Sequence, residues 1–190
     1  MASLADTALF LVDVQNDFCE GGALAVPGAN RVVPVLNDAI ARFRQTGRPI
    51  YASRDWHPPD TSHFRERGGP WPPHCVAGTS GAAFHPDLQL PHDAIVISKG
   101  QSREDAGYSA MEGVTADGRP VIEDLRGRGI LNLHVGGLAT DYCVRATVLQ
   151  ALREGLGVTL IADGIAGIDP QGTTRALEEM RQAGAMLSSS

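Results

Sequence analysis

Five short runs of apolar residues lie along the chain, and each is bounded by glycine, proline or charged residues. They span residues 8–14, 48–55, 93–99, 130–137 and 157–163. Continuous apolar runs of this length, rich in β-branched residues, are typical of strands that are buried on both faces of a parallel sheet. The pattern therefore predicts five buried strands.

Between and after these runs, apolar residues recur at helical spacing. Four such segments end at or next to a glycine, a common residue at helix C-termini: 30–47, 120–129, 140–155 and 172–184. Strands that alternate with helices are typical of an α/β fold. We therefore predict a three-layer α/β/α sandwich with a mostly parallel central sheet, and the chain length favours a single domain over residues 1–190.

Composition narrows the class of protein. Hydrophobic residues at 43% and charged residues at 20% are ordinary for a globular domain, and a net charge of -6 argues against a nucleic-acid partner. The opening "MASLADTALFLVDVQ" lacks a signal-peptide pattern, and no apolar run approaches the roughly 18 residues of a membrane span. We expect a cytoplasmic protein without a membrane partner, whose three cysteines form no disulfide framework.

Several polar residues lie at the ends of the apolar runs. In parallel sheets, ligands bind at the carboxyl ends of the strands. These residues are Asp13, Asp55, Lys99, Asp163 and the loop 136–143. The arrangement predicts an acid, a metal ligand, a base and a thiol along one edge of the sheet.

Cys143 is the candidate nucleophile, about three residues into a helix that begins near Thr140 or Asp141. Backbone N–H groups at a helix start favour a thiolate. Asp13 and Lys99 each end an apolar strand, where an unpaired charge would cost several kcal/mol. With an acid to move protons and a lysine to stabilise anions, the cysteine can attack a carbonyl. Two alternatives stay open: Cys143 as a packing residue, and Asp13–Lys99 as a purely structural salt bridge.

A second cluster lies in "RDWHPPDTSHF" and "WPPHC". Three imidazoles and a carboxylate fall within 20 residues: Asp55, His57, His63 and His74. Such ligands suit one divalent ion, Zn, Mn or Fe, and Glu66 is an alternative to His63. Solvated loop histidines without a metal are the other interpretation.

Taken together, the motifs resemble those of the nicotinamidases, or pyrazinamidases, of the isochorismatase-like hydrolase superfamily. The similarity extends from residue 8 to about residue 188 and is carried by "LVDVQNDFCEGGALAV", the two histidine-containing stretches, "SKG" and "GLATDYCVRAT". This resemblance implies a catalytic triad of Asp13, Lys99 and Cys143, and a metal held by Asp55, His57, His63 and His74.

The resemblance also implies the surroundings of the triad. It assigns an oxyanion hole to the N–H groups of Ala139 and Cys143, next to a cis peptide between Leu138 and Ala139. It assigns substrate contacts to four residues: Phe18, Trp71, Tyr108 and Leu138.

The implied reaction is hydrolysis of nicotinamide to nicotinate and ammonia through a cysteine thioester, as a step of NAD salvage. Pyrazinamide would be deamidated as well, so the partner is a small aromatic amide, and a homo-oligomer is left open. Three rivals remain: an isochorismatase, an N-carbamoylsarcosine-type amidohydrolase, and a catalytically silent binding or zinc-storage protein on the same scaffold.

Overall fold

The computed structural model describes residues 6–188, which contain seven strands. They are β1 (Thr7–Val12), β2 (Ile50–Asp55), β3 (Ile95–Lys99), β4 (Val114–Thr115), β5 (Asn132–Leu138), β6 (Gly157–Ala166) and β7 (Met186–Ser188). All lie in one sheet of order β4-β3-β2-β1-β5-β6-β7. Every pairing is parallel except that of β3 with β4, which confirms the predicted mostly parallel sheet.

The helices are α1 (Val32–Gln45), α2 (Val121–Gly127), α3 (Arg145–Arg153) and α4 (Pro170–Gln182). A π-helical turn, Thr140–Val144, leads directly into α3. The single helix predicted over 140–155 is therefore a π-helical turn followed by an α-helix.

Alternate residues of β1 point to opposite faces of the sheet, as strand geometry requires. Leu9 and Leu11 pack in a core with α1, whereas Phe10 and Val12 pack in a second core with α2, α3 and α4. Helices therefore cover both faces, and the predicted three-layer α/β/α sandwich is confirmed.

The topology brings the candidate residues together. Asp13 follows β1 directly, Asp55 and Lys99 end β2 and β3 and are register partners, and Cys143 follows β5. These four strands are neighbours in the sheet. Asp163 is different: it lies inside β6, which runs beyond the predicted end, and its side chain is exposed.

No helix within residues 6–188 is long and apolar enough to cross a membrane. The predicted domain 1–190 and the opening "MASLADTALFLVDVQ" extend into residues 1–5 and 189–190, outside the described residues, so the single domain stays a prediction.

Candidate active site

Asp13 is a completely buried carboxylate in a left-handed turn, with φ at 50°. Ser53 Oγ donates to its Oδ1 at 2.7 Å, and Lys99 Nζ lies 2.8 Å from its Oδ2. Burial and the nearby Asp55 raise the pKa of Asp13 above its usual value, although Lys99 acts in the opposite direction. Asp13 is therefore a carboxylate with increased basicity, suited to accept a proton.

Lys99 lies at the centre of the site. Its Nζ donates to the Asp55 carboxylate and to the Gly107 carbonyl, and it lies 3.6 Å from Cys143 Sγ. Burial opposes the charge, but Asp13 and Asp55 more than offset it and hold the pKa of Lys99 well above its usual range. The lysine is therefore a permanent cation between two carboxylates and a thiol.

Cys143 completes the group. Its Sγ and carboxylate oxygens of Asp13 and Asp55 all lie within 4.8 Å of one another. Burial raises the pKa of the Cys143 thiol well above its usual value, the two carboxylates add to the shift, and Lys99 only partly opposes it. Burial therefore outweighs the stabilisation of a thiolate by Lys99, and the thiol needs a base to lose its proton.

The peptide between Leu138 and Ala139 is cis, as the resemblance implied. The next turn wraps around the Ala139 carbonyl, which accepts hydrogen bonds from the N–H groups of Tyr142 and Val144, each at 3.1 Å. Cys143 thus lies on a tight turn at the end of β5. The Leu138 side chain is fully buried in the core and does not line the active-site cavity.

Three histidines form a group next to the triad. Nitrogen atoms of His57, His63 and His74 lie within 4.8 Å of one another, and all three rings are buried. His57 Nδ1 lies 3.1 Å from the Gly100 carbonyl and His74 Nδ1 lies 2.7 Å from the Pro72 carbonyl. These contacts direct the Nε2 atoms inward, the arrangement typical of metal-binding histidines.

Asp55 connects the histidines to the triad. Its Oδ2 lies 3.6 Å from His57 Nε2 and 4.0 Å from His74 Nε2, while its other oxygen accepts from Lys99. No hydrogen-bond partner reaches the buried His57 Nε2 from within the described part of the chain. A buried nitrogen without a partner, facing a carboxylate and two imidazoles, suits a divalent ion.

Burial keeps these ligands in the form that binds metal. It lowers the pKa of His63 to about 4, and the pKa of His74 is lowered for the same reason. Burial works against ionisation of Asp55, yet Lys99 and His57 hold its pKa below the usual value. Glu66, the alternative ligand, is exposed on a short 3-10 turn.

Sequence reasoning missed Gln15, which fixes the backbone of Asp55. Its Nε2 donates to the Asp55 carbonyl at 2.9 Å, and its Oε1 accepts from the Asp55 N–H at 2.8 Å. Gln15 is polar but completely buried, and its position two residues after Asp13 was the only available signal.

An aromatic cavity opens onto the thiol. Phe18, Trp71 and Tyr108 line it, together with Tyr142. Trp71 Nε1 donates to the Tyr108 hydroxyl at 2.9 Å, and the ring of Trp71 meets that of Tyr142 edge-on at 4.9 Å. The walls are suited to a flat, aromatic ligand.

Comparisons with known proteins agree with this geometry. The family model of the isochorismatase domain matches residues 7–190. The nicotinamidase/pyrazinamidase of Mycobacterium tuberculosis is 42% identical over 183 residues, covering 95% of this chain and 97% of that protein. The solved pyrazinamidase of Pyrococcus horikoshii in complex with zinc is 45% identical with a TM-score of 0.91, covering 97% of this chain and 99% of its own.

A second solved structure, PnC1 from L. infantum in complex with nicotinate, is 33% identical with a TM-score of 0.88, and covers 98% of this chain and 93% of its own. The chain aligns with more than nine-tenths of the length of each of these three relatives. The chain therefore belongs to the isochorismatase family, in its nicotinamidase and pyrazinamidase group.

Proposed function

We propose that this protein is a nicotinamidase that hydrolyses nicotinamide to nicotinate and ammonia and also deamidates pyrazinamide. The observation that carries the proposal is the contact of Lys99 Nζ with Cys143 Sγ and with the carboxylates of Asp13 and Asp55, at the base of an aromatic cavity. Nicotinate would enter NAD salvage, and the cytoplasmic location stays a prediction of the sequence.

In the first half-reaction, Asp13 accepts the proton of the Cys143 thiol, and the thiolate attacks the amide carbon. The thiol is protonated at rest because burial raises its pKa, so this proton transfer is required. Lys99 stabilises the negative charge that moves between sulfur and carboxylate. The N–H groups of Ala139 and Cys143 hold the tetrahedral oxyanion, and each such donor is worth roughly 3 kcal/mol.

Asp13 next returns its proton to the nitrogen, so that ammonia leaves and a thioester remains. In the second half-reaction, Asp13 takes a proton from water, which attacks the thioester carbonyl. The resulting tetrahedral species expels the Cys143 thiolate, which recovers its proton, and nicotinate is released. Asp13, which returns that last proton to the sulfur, is thus base, acid, base and acid in succession, a role that its raised pKa favours.

Four residues would hold a divalent ion, Zn, Mn or Fe: Asp55, His57, His63 and His74. When bound, such an ion supplies a Lewis-acid site for the pyridine nitrogen of the substrate. Asp55 would then both bind the ion and keep Lys99 oriented toward the thiol.

The rival activities need fewer of these parts. An isochorismatase cleaves a vinyl ether and requires neither the thiol nor the histidine group, and an N-carbamoylsarcosine-type enzyme does not require these histidines. The buried His57 Nε2 has no hydrogen-bond partner within the described residues, and its histidine group lies next to Asp13, Lys99 and Cys143. This combination supports the amidase activity over the rival activities.

The test is ammonia release from nicotinamide by the purified protein, by Cys143→Ala, and by a chelator-treated sample. Cys19→Ala is the matched control, since Cys19 is also a buried thiol but lies outside the cavity. We expect release by the wild type and by Cys19→Ala, none by Cys143→Ala, and less after chelation. Turnover by Cys143→Ala above a few per cent of wild type would rule out the thioester route.

A further inference from the structure

The loop 100–107 leaves β3 directly after Lys99 and returns to the cavity at Tyr108. Its two ends meet: a Cβ added to Gly107 would lie 2.7 Å from Gly100 Cα, and both glycines have positive φ, 66° and 65°. Only glycine permits so close an approach in this conformation. The loop therefore closes on itself beside the active site.

The Asp105 carboxylate spans the closed end of this loop. Its Oδ2 accepts the N–H of Gly100 at 3.0 Å, and its Oδ1 accepts the N–H of Gly107 at 2.8 Å. Asp105 is half-buried, and no cation within residues 6–188 forms a salt bridge with it. Both hydrogen bonds of its carboxylate go to backbone groups.

Each of these two glycines also contacts a functional side chain through its carbonyl. The Gly107 carbonyl accepts a hydrogen bond from Lys99 Nζ, which leaves the other two N–H groups of the ammonium to face the carboxylates and the thiol. The Gly100 carbonyl lies 3.1 Å from His57 Nδ1. A proton on Nδ1 leaves Nε2 free to bind metal.

We propose that Asp105 is a positioning residue that holds the catalytic lysine and a metal-site histidine in register through the two glycines of one loop. The part of the proposal that concerns Lys99 rests on the proposed function. The part that concerns His57 depends on metal binding alone. Without the carboxylate, Gly100 and Gly107 lose their common anchor, and both carbonyls are freed to move away from His57 and Lys99.

The test uses Asp105→Ala, Asp105→Asn and Glu104→Gln in the full chain. Glu104 is the exposed neighbour, so Glu104→Gln removes the same charge from the loop without removing these hydrogen bonds. Zinc affinity is measured by competition with a chromophoric chelator, kcat and KM for nicotinamide are measured at saturating zinc, and thermal unfolding of the metal-free proteins reports folding.

We expect Asp105→Ala to weaken zinc binding by about 10- to 100-fold, the usual effect of losing a residue that orients a ligand. We also expect its kcat to fall by at least about 10-fold, with KM within about twofold, because Lys99 stabilises reacting charge rather than bound substrate. Asp105→Asn, which keeps one acceptor oxygen, should be intermediate, and Glu104→Gln should match the wild type.

The proposal would be overturned if Asp105→Ala folds, keeps the zinc affinity and kcat of the wild type, and shows only a lower melting temperature. Asp105 would then serve only to close the loop. Equal losses in Glu104→Gln would also overturn it, because charge and not hydrogen bonding would then be responsible. If Asp105→Ala does not fold, the isosteric Asp105→Asn decides by the same criteria. A wild type without nicotinamidase activity would refute the proposed function, while the zinc measurements would still test Asp105.

Discussion

Asp13 differs from an ordinary aspartate because it has no contact with solvent and faces both a lysine and a second carboxylate. Its raised pKa makes it a better base, and the Lys99 ion pair keeps it ionised. The same ion pair was the structural alternative to a catalytic role. The thiol 3.6 Å from Lys99 Nζ supports the catalytic interpretation.

Asp13→Asn should lower kcat by about 10²- to 10⁴-fold, the usual contribution of a general acid or base. The amide is nearly isosteric and can still accept from Ser53, but it cannot take up the thiol proton. Steady-state kinetics on nicotinamide measures the effect, with circular dichroism to verify the fold. Asp38→Asn, an exposed aspartate on α1, is the control. A kcat within about tenfold of wild type would remove Asp13 from the mechanism.

His63 makes the stability of the metal-free protein depend on pH. Its pKa is about 4 in the folded state against an ordinary 6.5. Between these values the unfolded chain binds a proton that the native ring does not, so the free energy of unfolding should fall as pH decreases from 6.5 to 4. Urea titrations at several pH values measure this slope. His63→Gln should show a shallower slope, and an unchanged slope would contradict the assignment.

At the scale of elements, the end of β5 determines where Cys143 lies. Gly137 has φ at 125°, and a Cβ there would lie 2.0 Å from the Val12 carbonyl oxygen on the neighbouring strand. A side chain at Gly137 would therefore collide with the β1 backbone just before the turn that carries Cys143. The separation between Asp13, which follows Val12, and the thiol depends on this pairing of Val12 with Gly137.

Gly137→Ala should destabilise the protein by at least about 2 kcal/mol, because the methyl group overlaps backbone and the φ disfavours any side chain. It should also reduce activity, since β5 must move away from β1. Chemical denaturation and ammonia release measure the two effects. Gly127→Ala is the control: this helical glycine has nothing within 4 Å of its Cβ position, so the change should be neutral or mildly stabilising. Equal stability of the two variants would refute the packing argument.

The five long strands could be predicted from sequence because their runs are mostly apolar. β4 and β7 have two and three residues, too few to show a period, and Met186 and Leu187 of β7 are exposed. β6 extends past Asp163 because a register shift after Val135 pairs Gly137 with Ile165. Apolar spacing over a single turn cannot separate a π-helical turn from an α-helical one.

The triad was recognisable because polar residues at the ends of apolar runs are conspicuous, and the histidines because they cluster in sequence. Gln15, Ser53 and Asp105 carry no such signal. Their partners are backbone groups or side chains on other strands and loops, and these meet only when the chain is folded. The raised pKa of the Cys143 thiol was likewise hidden, because it depends on burial.

For the whole molecule, metal binding should contribute to stability. Zinc at about 100 times its Kd should add about 2.7 kcal/mol, or about 5 to 10 °C in Tm for a chain of this size. Thermal unfolding with and without zinc measures the shift. His57→Ala should lose most of it, whereas His92→Ala, a change in an exposed histidine outside the cavity, should keep it. A full shift in His57→Ala would place the bound zinc elsewhere.

β1 is synthesised before the other six described strands, yet it lies in the middle of the sheet. One of its edges pairs with β2 near residue 50, but the other stays open until β5 emerges at residues 132–138. All six residues of β1 are buried in the finished protein, so until then its mostly apolar side chains are exposed beside an open edge of unpaired backbone N–H and C=O groups. Premature termination between residues 100 and 131 therefore yields chains that carry the acid, the lysine and the histidines but expose an unpaired strand edge. Such fragments will tend to aggregate during biosynthesis rather than persist as partly active enzyme.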